Sequence, residues 1–133
     1  MVYRESLDAN VLLRLVLNDV PIQTEKVIKL LERKNASYDV SDLAIHELAY
    51  VLEMALGLSR DFVAQTIDII ISTHNINCNR TLFGEVLPAY LKYPKLSFND
   101  CCLAGYAKLN QTEPLWTFDH TLAVQSGIAK EIK

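Results

Sequence analysis

The sequence predicts an α/β fold in which helices alternate with the strands of a mostly parallel sheet. Short apolar runs are followed by longer segments with helical periodicity along the whole chain, a pattern typical of βα units. No internal repeat, low-complexity stretch or linker rich in Pro and Gly interrupts this alternation. At 133 residues the chain is long enough to bury one hydrophobic core, so we expect residues 1–133 to form a single domain.

The composition is typical of a folded globular protein. Hydrophobic residues make up 50% of the chain and charged residues 22%, which argues against disorder. The net charge of −3 provides no basic field, and this argues against a purely electrostatic DNA-binding module. It does not argue against an enzyme whose bound divalent cations reverse the local charge of its site.

The cysteines and the N-terminus indicate a cytoplasmic protein. Cys78, Cys101 and Cys102 are odd in number and lack C-x-x-C spacing, so we expect small buried thiols in a reducing compartment. The N-terminal residues are charged where a signal peptide needs an apolar run. No apolar stretch approaches the roughly 18 residues of a membrane span.

The N-terminal segments predict the first βα units. Val2–Leu7 predicts a weak first strand, and Val11–Leu17 an apolar helix. Because Arg4 and Glu5 would be poorly placed in a strand covered on both faces, either this strand is only a few residues long or this edge of the sheet is unusually polar. The proline that opens residues 21–35 suits the first turn of a second helix.

The middle of the chain predicts two more strands and two more helices. Tyr38–Ser41 predicts a short second strand, and Asp42–Leu56 a helix that ends before Gly57. A serine suited to N-capping opens the next predicted helix, residues 59–73. Ile76–Cys78 predicts a third strand.

The C-terminal segments complete the alternation. Leu82–Tyr93 predicts a helix that Pro94 terminates, and Ser97–Leu109 predicts another. Leu115–Phe118 predicts a strand, followed by a short helix and a small last strand around Ile128.

Two aspartates follow predicted strands directly. Asp8 comes after the first strand and Asp119 after Leu115–Phe118, each at the start of a helix. In open parallel sheets ligands bind at this carboxyl edge, so both are candidate site residues. The alternative is that each aspartate only caps its helix, because Asp is a preferred N-cap residue.

Glu47 is a candidate because of its neighbours in the predicted helix Asp42–Leu56. The residues three and four positions away are Leu43, Ala44, Tyr50 and Val51. A carboxylate on such an apolar flank is costly unless a cation or hydrogen-bond donors stabilise its charge. The alternative is a boundary residue that reaches solvent.

Asp100 repeats this pattern. In the predicted helix it stacks on Leu103, Ala104 and Ala107. The alternative is again specific, because Ser97 and Asp100 have the spacing of a capping box, with Asp in place of the usual Glu or Gln.

Four carboxylates gathered in one pocket would repel one another, so some must protonate or a cation must bind. An all-oxygen ligand set favours Mg²⁺ or Mn²⁺ over zinc. The sequence offers no better site, since it has no glycine-rich phosphate loop and no nucleophile elbow. The histidines lack a second His or Cys at metal-ligand spacing: His46, His74 and His120.

The chain resembles the PIN domain family, and VapC-type toxins in particular, in four ordered segments. These are LDANVLLR at residues 7–14, VSDLAIHEL at 40–48, LSFND at 96–100 and LWTFD at 115–119. The resemblance covers essentially the whole chain. It implies a Rossmann-like α/β/α sandwich with a mostly parallel central sheet and acidic residues at its carboxyl edge.

The resemblance also implies an activity. It implies a Mg²⁺- or Mn²⁺-dependent endoribonuclease, the toxin of a type II toxin–antitoxin pair, which forms a homodimer and is often blocked by a cognate antitoxin. Asn10 and Thr117 match accessory polar positions of the family. The residues that match its catalytic, metal-binding acidic quartet are Asp8, Glu47, Asp100 and Asp119.

Three cations are candidates for contacts with the phosphates of an RNA substrate: Arg14, Lys92 and Lys95. The main alternative to a ribonuclease is a catalytically idle PIN-like module that binds protein or RNA. A metal-dependent phosphatase acting on small phosphate esters is a weaker alternative.

Overall fold

The computed structural model describes residues 2–133 and divides into two compact units. The N-terminal unit ends at Asn79, and the C-terminal unit is Arg80–Lys133. In the described part of the chain no helix is long and apolar enough to span a membrane. Every strand pairing described in either unit is parallel, which confirms the parallel sheet predicted from the sequence.

A three-stranded parallel sheet forms the centre of the N-terminal unit. Its strands lie in the order β1 (Tyr3–Ser6), β2 (Ala36–Asp39) and β3 (Ile76–Asn77). All four residues of β1 are exposed. The sequence left open whether the first strand is short or this edge of the sheet is polar, and both are true.

The helices of the N-terminal unit begin within one residue of the prediction, except that the first begins at Ala9 rather than at Val11. They are α1 (Ala9–Leu17), α2 (Pro21–Leu31), α3 (Asp42–Tyr50) and α4 (Arg60–Ser72). Ser41 and Ser59 cap α3 and α4, because their hydroxyl oxygens accept from backbone N–H groups three residues on, both at 3.1 Å. The chain continues from α3 through one π-helical segment, Val51–Ala55, before it turns.

The end of α2 differs from the prediction. The helix ends at Leu31 rather than at Asn35, because the chain must turn to enter β2 at Ala36. Asn35 makes that turn with a left-handed backbone, φ 58°, which asparagine tolerates better than most residues. The largest buried side chains of this unit are Leu12, Tyr38, Ile45, Leu48, Leu52, Val63, Ile67 and Ile76.

The C-terminal unit combines three helices with a two-stranded parallel sheet. Its elements are α5 (Arg80–Lys92), α6 (Phe98–Leu109), β4 (Leu115–Thr117), α7 (His120–Ser126) and β5 (Ala129–Glu131). The strand expected around Ile128 is therefore present as β5.

Aromatic packing joins α5 to α6. Phe98 stacks on Phe83 with ring centroids 6.2 Å apart, and Tyr90 meets it edge-on at 5.4 Å. Gly105 lets the helices approach closely, because a Cβ there would lie 3.3 Å from the Leu82 side chain. The start of α6 is thus held on a well-packed surface.

Candidate active site

Asp8 lies at the junction of β1 and α1. Leu7 extends the ladder by donating its N–H to the Asp39 carbonyl at 3.0 Å, so Asp8 follows the strand directly. Its Oδ1 accepts from the backbone N–H of Val11 at 3.0 Å, and the side chain is exposed. Asp8 therefore lies at the end of the first strand, as predicted, and it also caps α1, which was the alternative. Among residues 2–133 no donor contacts Oδ2.

Glu47 lies on α3 with its side chain exposed. Two of its four predicted apolar neighbours are exposed as well, since Leu43 is 82% and Tyr50 64% accessible to solvent. These residues therefore do not shield the carboxylate from water within the described structure, and its position agrees with the alternative of a boundary residue. No hydrogen bond or ion pair engages Glu47 in residues 2–133.

Asp100 forms a complete capping box at the start of α6. The Ser97 hydroxyl accepts from the Asp100 N–H at 3.0 Å, and Asp100 Oδ2 accepts from the Ser97 N–H at 3.2 Å. The capping role predicted from the sequence is confirmed. The other carboxylate oxygen, Oδ1, has no protein donor in the described chain.

Asp119 lies between β4 and α7 and is held from both sides. Its Oδ1 accepts from the Leu122 N–H at 3.0 Å, which caps α7. Its own N–H donates to the Thr117 hydroxyl at 2.9 Å. Thr117, predicted as an accessory residue, thus fixes the backbone of Asp119. Asn10 is exposed on α1 and makes no comparable contact within residues 2–133.

The three aspartates share one arrangement. In each, one carboxylate oxygen accepts from a backbone N–H at a helix start, where four such donors otherwise lack partners. This bond restricts the side-chain rotamer. The second oxygen of each carboxylate has no protein donor within the described residues, and carboxylate oxygens are ligands that suit hard divalent cations.

The four acids are distributed in pairs over the two units. Asp8 lies directly before α1 and Glu47 lies on α3, and these two helices contact each other in the N-terminal unit. Asp100 and Asp119 belong to α6 and the start of α7, which contact each other in the C-terminal unit. Within residues 2–133, no group of three or more His, Cys, Asp or Glu side chains is placed to hold a metal ion.

A polar cleft at the carboxyl ends of β1, β2 and β3 was not predicted. Asp39 Oδ1 accepts from Arg4 Nε at 2.8 Å and from Asn77 Nδ2 at 3.0 Å. The Arg4 hydrogen bond, followed by the Asn77 hydrogen bond, lowers the pKa of Asp39 below its ordinary value. The same pairing raises the pKa of Arg4.

This cleft encloses about 520 Å³ and is also lined by Ser6, Ser41 and Cys78. The register explains it, because Arg4 pairs with Ser37 and Asp39 with Asn77, which places these side chains on one face of the sheet. The unusual Arg4 in a predicted strand was the one signal available in the sequence.

Parallel strands followed by helices that begin at aspartates define an α/β protein with acidic residues at strand ends. The family model of the PIN domain matches residues 6–127. The chain belongs to the PIN domain family, whose members are typically nucleases that bind RNA and generally use divalent metal ions. No curated protein shows a significant match to the chain.

Proposed function

We propose that the protein is a Mg²⁺- or Mn²⁺-dependent endoribonuclease that hydrolyses RNA phosphodiester bonds in the cytoplasm. Family membership supports a nuclease. The observation that supports catalysis most directly is the common arrangement of Asp8, Asp100 and Asp119. Each is fixed by a backbone N–H through one oxygen and keeps the other for a ligand.

The residues that would hold the metal are Asp8, Glu47, Asp100 and Asp119. An oxygen-only ligand set suits Mg²⁺ or Mn²⁺ better than zinc. Held by these carboxylates, such an ion would supply activation of the attacking water and neutralisation of charge on the phosphate. The PIN match spans both units, which supports our proposal that residues 1–133 act as one domain.

The chain's own part in the reaction is to keep its carboxylates oriented. Ser97 fixes Asp100 through the capping box, and Thr117 fixes the backbone of Asp119. A ligand restrained before the substrate binds loses less conformational entropy in the reaction. The anchored aspartates thus supply orientation, and the exposed Glu47 supplies a carboxylate that the helix starts do not restrain.

We further propose that the protein is the toxin of a type II toxin–antitoxin pair and forms a homodimer. Exposed apolar side chains on α3 and the π-helical segment support an interface, since Leu43, Tyr50 and Met54 are each more than 60% accessible. Sedimentation of the purified chain alone, and with the product of an adjacent short reading frame, tests both parts of this proposal.

Asparagine variants test the catalytic assignment. Asp8→Asn keeps a good N-cap on α1, and Asp100→Asn leaves Ser97 as the N-cap of α6, so both variants should fold normally while they lose the carboxylate charge. We expect cleavage of a labelled RNA in Mn²⁺ to fall to the level seen with EDTA. Asp68→Asn, an exposed acid on the surface of α4, is the matched control and should cleave like wild type.

The result that overturns the proposal is cleavage at the wild-type rate by either asparagine variant. RNA that binds saturably but is never cut, in Mg²⁺ or in Mn²⁺, would instead identify the idle binding module. Turnover of a small phosphate ester in preference to RNA would identify the phosphatase.

A further inference from the structure

The single tryptophan of the chain is exposed close to one of the candidate site residues. Trp116 lies in β4, three residues before Asp119, and 60% of its surface is accessible to solvent. Those three residues limit the Cα–Cα distance from Trp116 to Asp119 to about 11 Å. A large aromatic surface left in water so near a proposed catalytic residue indicates a contact surface.

Trp116 forms one wall of a groove in the C-terminal unit, which we name the Trp116 groove. It encloses about 320 Å³ and is lined by Trp116, His120, Val124, Lys130, Glu131 and Lys133, among others. Trp116 and Lys130 are direct partners in the register of β4 and β5. Their side chains therefore leave the sheet on the same face.

The charges of the Trp116 groove favour an anion. His120 Nδ1 lies 3.2 Å from Glu131 Oε1, so the one acid of the lining already faces an imidazole. Lys130 and Lys133 are exposed, and neither forms an ion pair within residues 2–133. Two ammonium groups thus remain beside an indole face and the exposed side chain of Val124.

This combination matches an unpaired nucleotide. An indole accepts a stacked base, and lysines bind the phosphate. A base within a duplex is already stacked, so it cannot place its face on Trp116. An apolar peptide would leave Lys130 and Lys133 without acceptors, and a free phosphate would leave the indole without a partner.

We propose that the Trp116 groove binds one unpaired nucleotide of the RNA substrate. The base stacks on Trp116 and the phosphate lies beside Lys130 and Lys133. This proposal rests on the proposed ribonuclease function. It deepens that function, because it assigns a subsite for one nucleotide of the RNA to the groove next to Asp119.

Intrinsic fluorescence tests the proposal, because Trp116 is the only tryptophan. The purified full chain is titrated in EDTA, which prevents metal-dependent cleavage, with a nine-nucleotide single-stranded RNA and with the same RNA as a blunt duplex. We expect saturable quenching by the single strand. The duplex should leave the fluorescence unchanged at the same concentrations.

Variants test the stacking contact by the fluorescence anisotropy of labelled RNA. Trp116→Leu should weaken binding by about 5- to 150-fold, the range for loss of one base–aromatic stack, while Trp116→Phe should keep most of the affinity. Lys130→Gln should reduce the slope of log K against log salt by about 1. Phe62→Leu, a partly exposed aromatic of the N-terminal unit, is the control and should bind like wild type.

The outcomes separate this proposal from the ribonuclease itself. Unchanged fluorescence, together with wild-type RNA affinity of Trp116→Leu, would overturn the groove proposal. The same holds if the groove is later found to bind a protein partner instead of RNA. Cleavage of RNA by that same variant would leave the proposed function standing. Quenching of Trp116 by single-stranded RNA, without cleavage in any metal, would instead support the groove and overturn the proposed function.

Discussion

Replacing Ser97 by alanine should separate the stability of α6 from the orientation of Asp100. The hydroxyl of Ser97 accepts from the Asp100 N–H at 3.0 Å, and loss of such an N-cap costs about 1 kcal/mol. For a domain of this size that corresponds to a fall in Tm of about 3–5 °C. The Asp100 carboxylate keeps its bond to the Ser97 N–H but loses the reciprocal half of the capping box.

Ser59→Ala is the matched control for this experiment. Ser59 makes the same hydroxyl bond to a backbone N–H, from Phe62 at 3.1 Å, but its helix begins without a candidate ligand. Both variants should unfold at similarly lowered temperatures in circular dichroism. Only Ser97→Ala should show a reduced kcat for RNA cleavage, and Ser97→Asn, which restores an N-cap, should recover most of it. Equal activity of Ser97→Ala and Ser59→Ala would refute the reasoning.

Three further predictions follow from the same contacts. Thr117→Val removes the acceptor for the Asp119 N–H and should lower kcat several-fold with little change in KM, which steady-state kinetics measures. Because the pKa of Asp39 is lowered in the folded state, its stabilising contribution is present above its ordinary pKa of 3.8 and is lost as pH falls through the lower folded value. Urea unfolding of wild type and Asp39→Asn should therefore differ near pH 6 and converge in strong acid. Chelation with EDTA should abolish RNA cleavage, and added Mn²⁺ should restore it with no refolding step.

Local signals predicted most of the fold. The starts of α2, α4 and α6 follow from a proline and two serines, and the structure contains the capping bonds of both serines. These signals act within one helical turn, so the neighbouring residues are sufficient to recognise them. The family resemblance found in the sequence is confirmed over residues 6–127, while its restriction to VapC-type toxins stays a prediction.

Features that depend on distant partners could not be predicted. Alternating apolar residues predicted the second strand at Tyr38–Ser41, but β2 spans Ala36–Asp39. Its ends are set by pairing with β1 and β3. Helical periodicity identified the neighbours of Glu47 but not the exposure of two of them, Leu43 and Tyr50. Asp39 and Asn77 were missed, since only the register of β2 and β3 places them together.

The capping bonds of Asp8, Asp100 and Asp119 change how sequence variation at these positions is to be interpreted. Asp8 and Asp119 are N-cap residues and Asp100 completes the capping box of α6, whether or not a cation is bound. Selection for folding alone therefore favours a polar side chain at these positions. At Asp8 and Asp119, a descendant that has lost catalysis is therefore expected to tolerate asparagine or serine, which still begin helices, before alanine. In such proteins, retention of a polar residue at these positions does not by itself indicate catalysis. Replacement of the charged residue by a neutral capping residue indicates that catalysis has been lost.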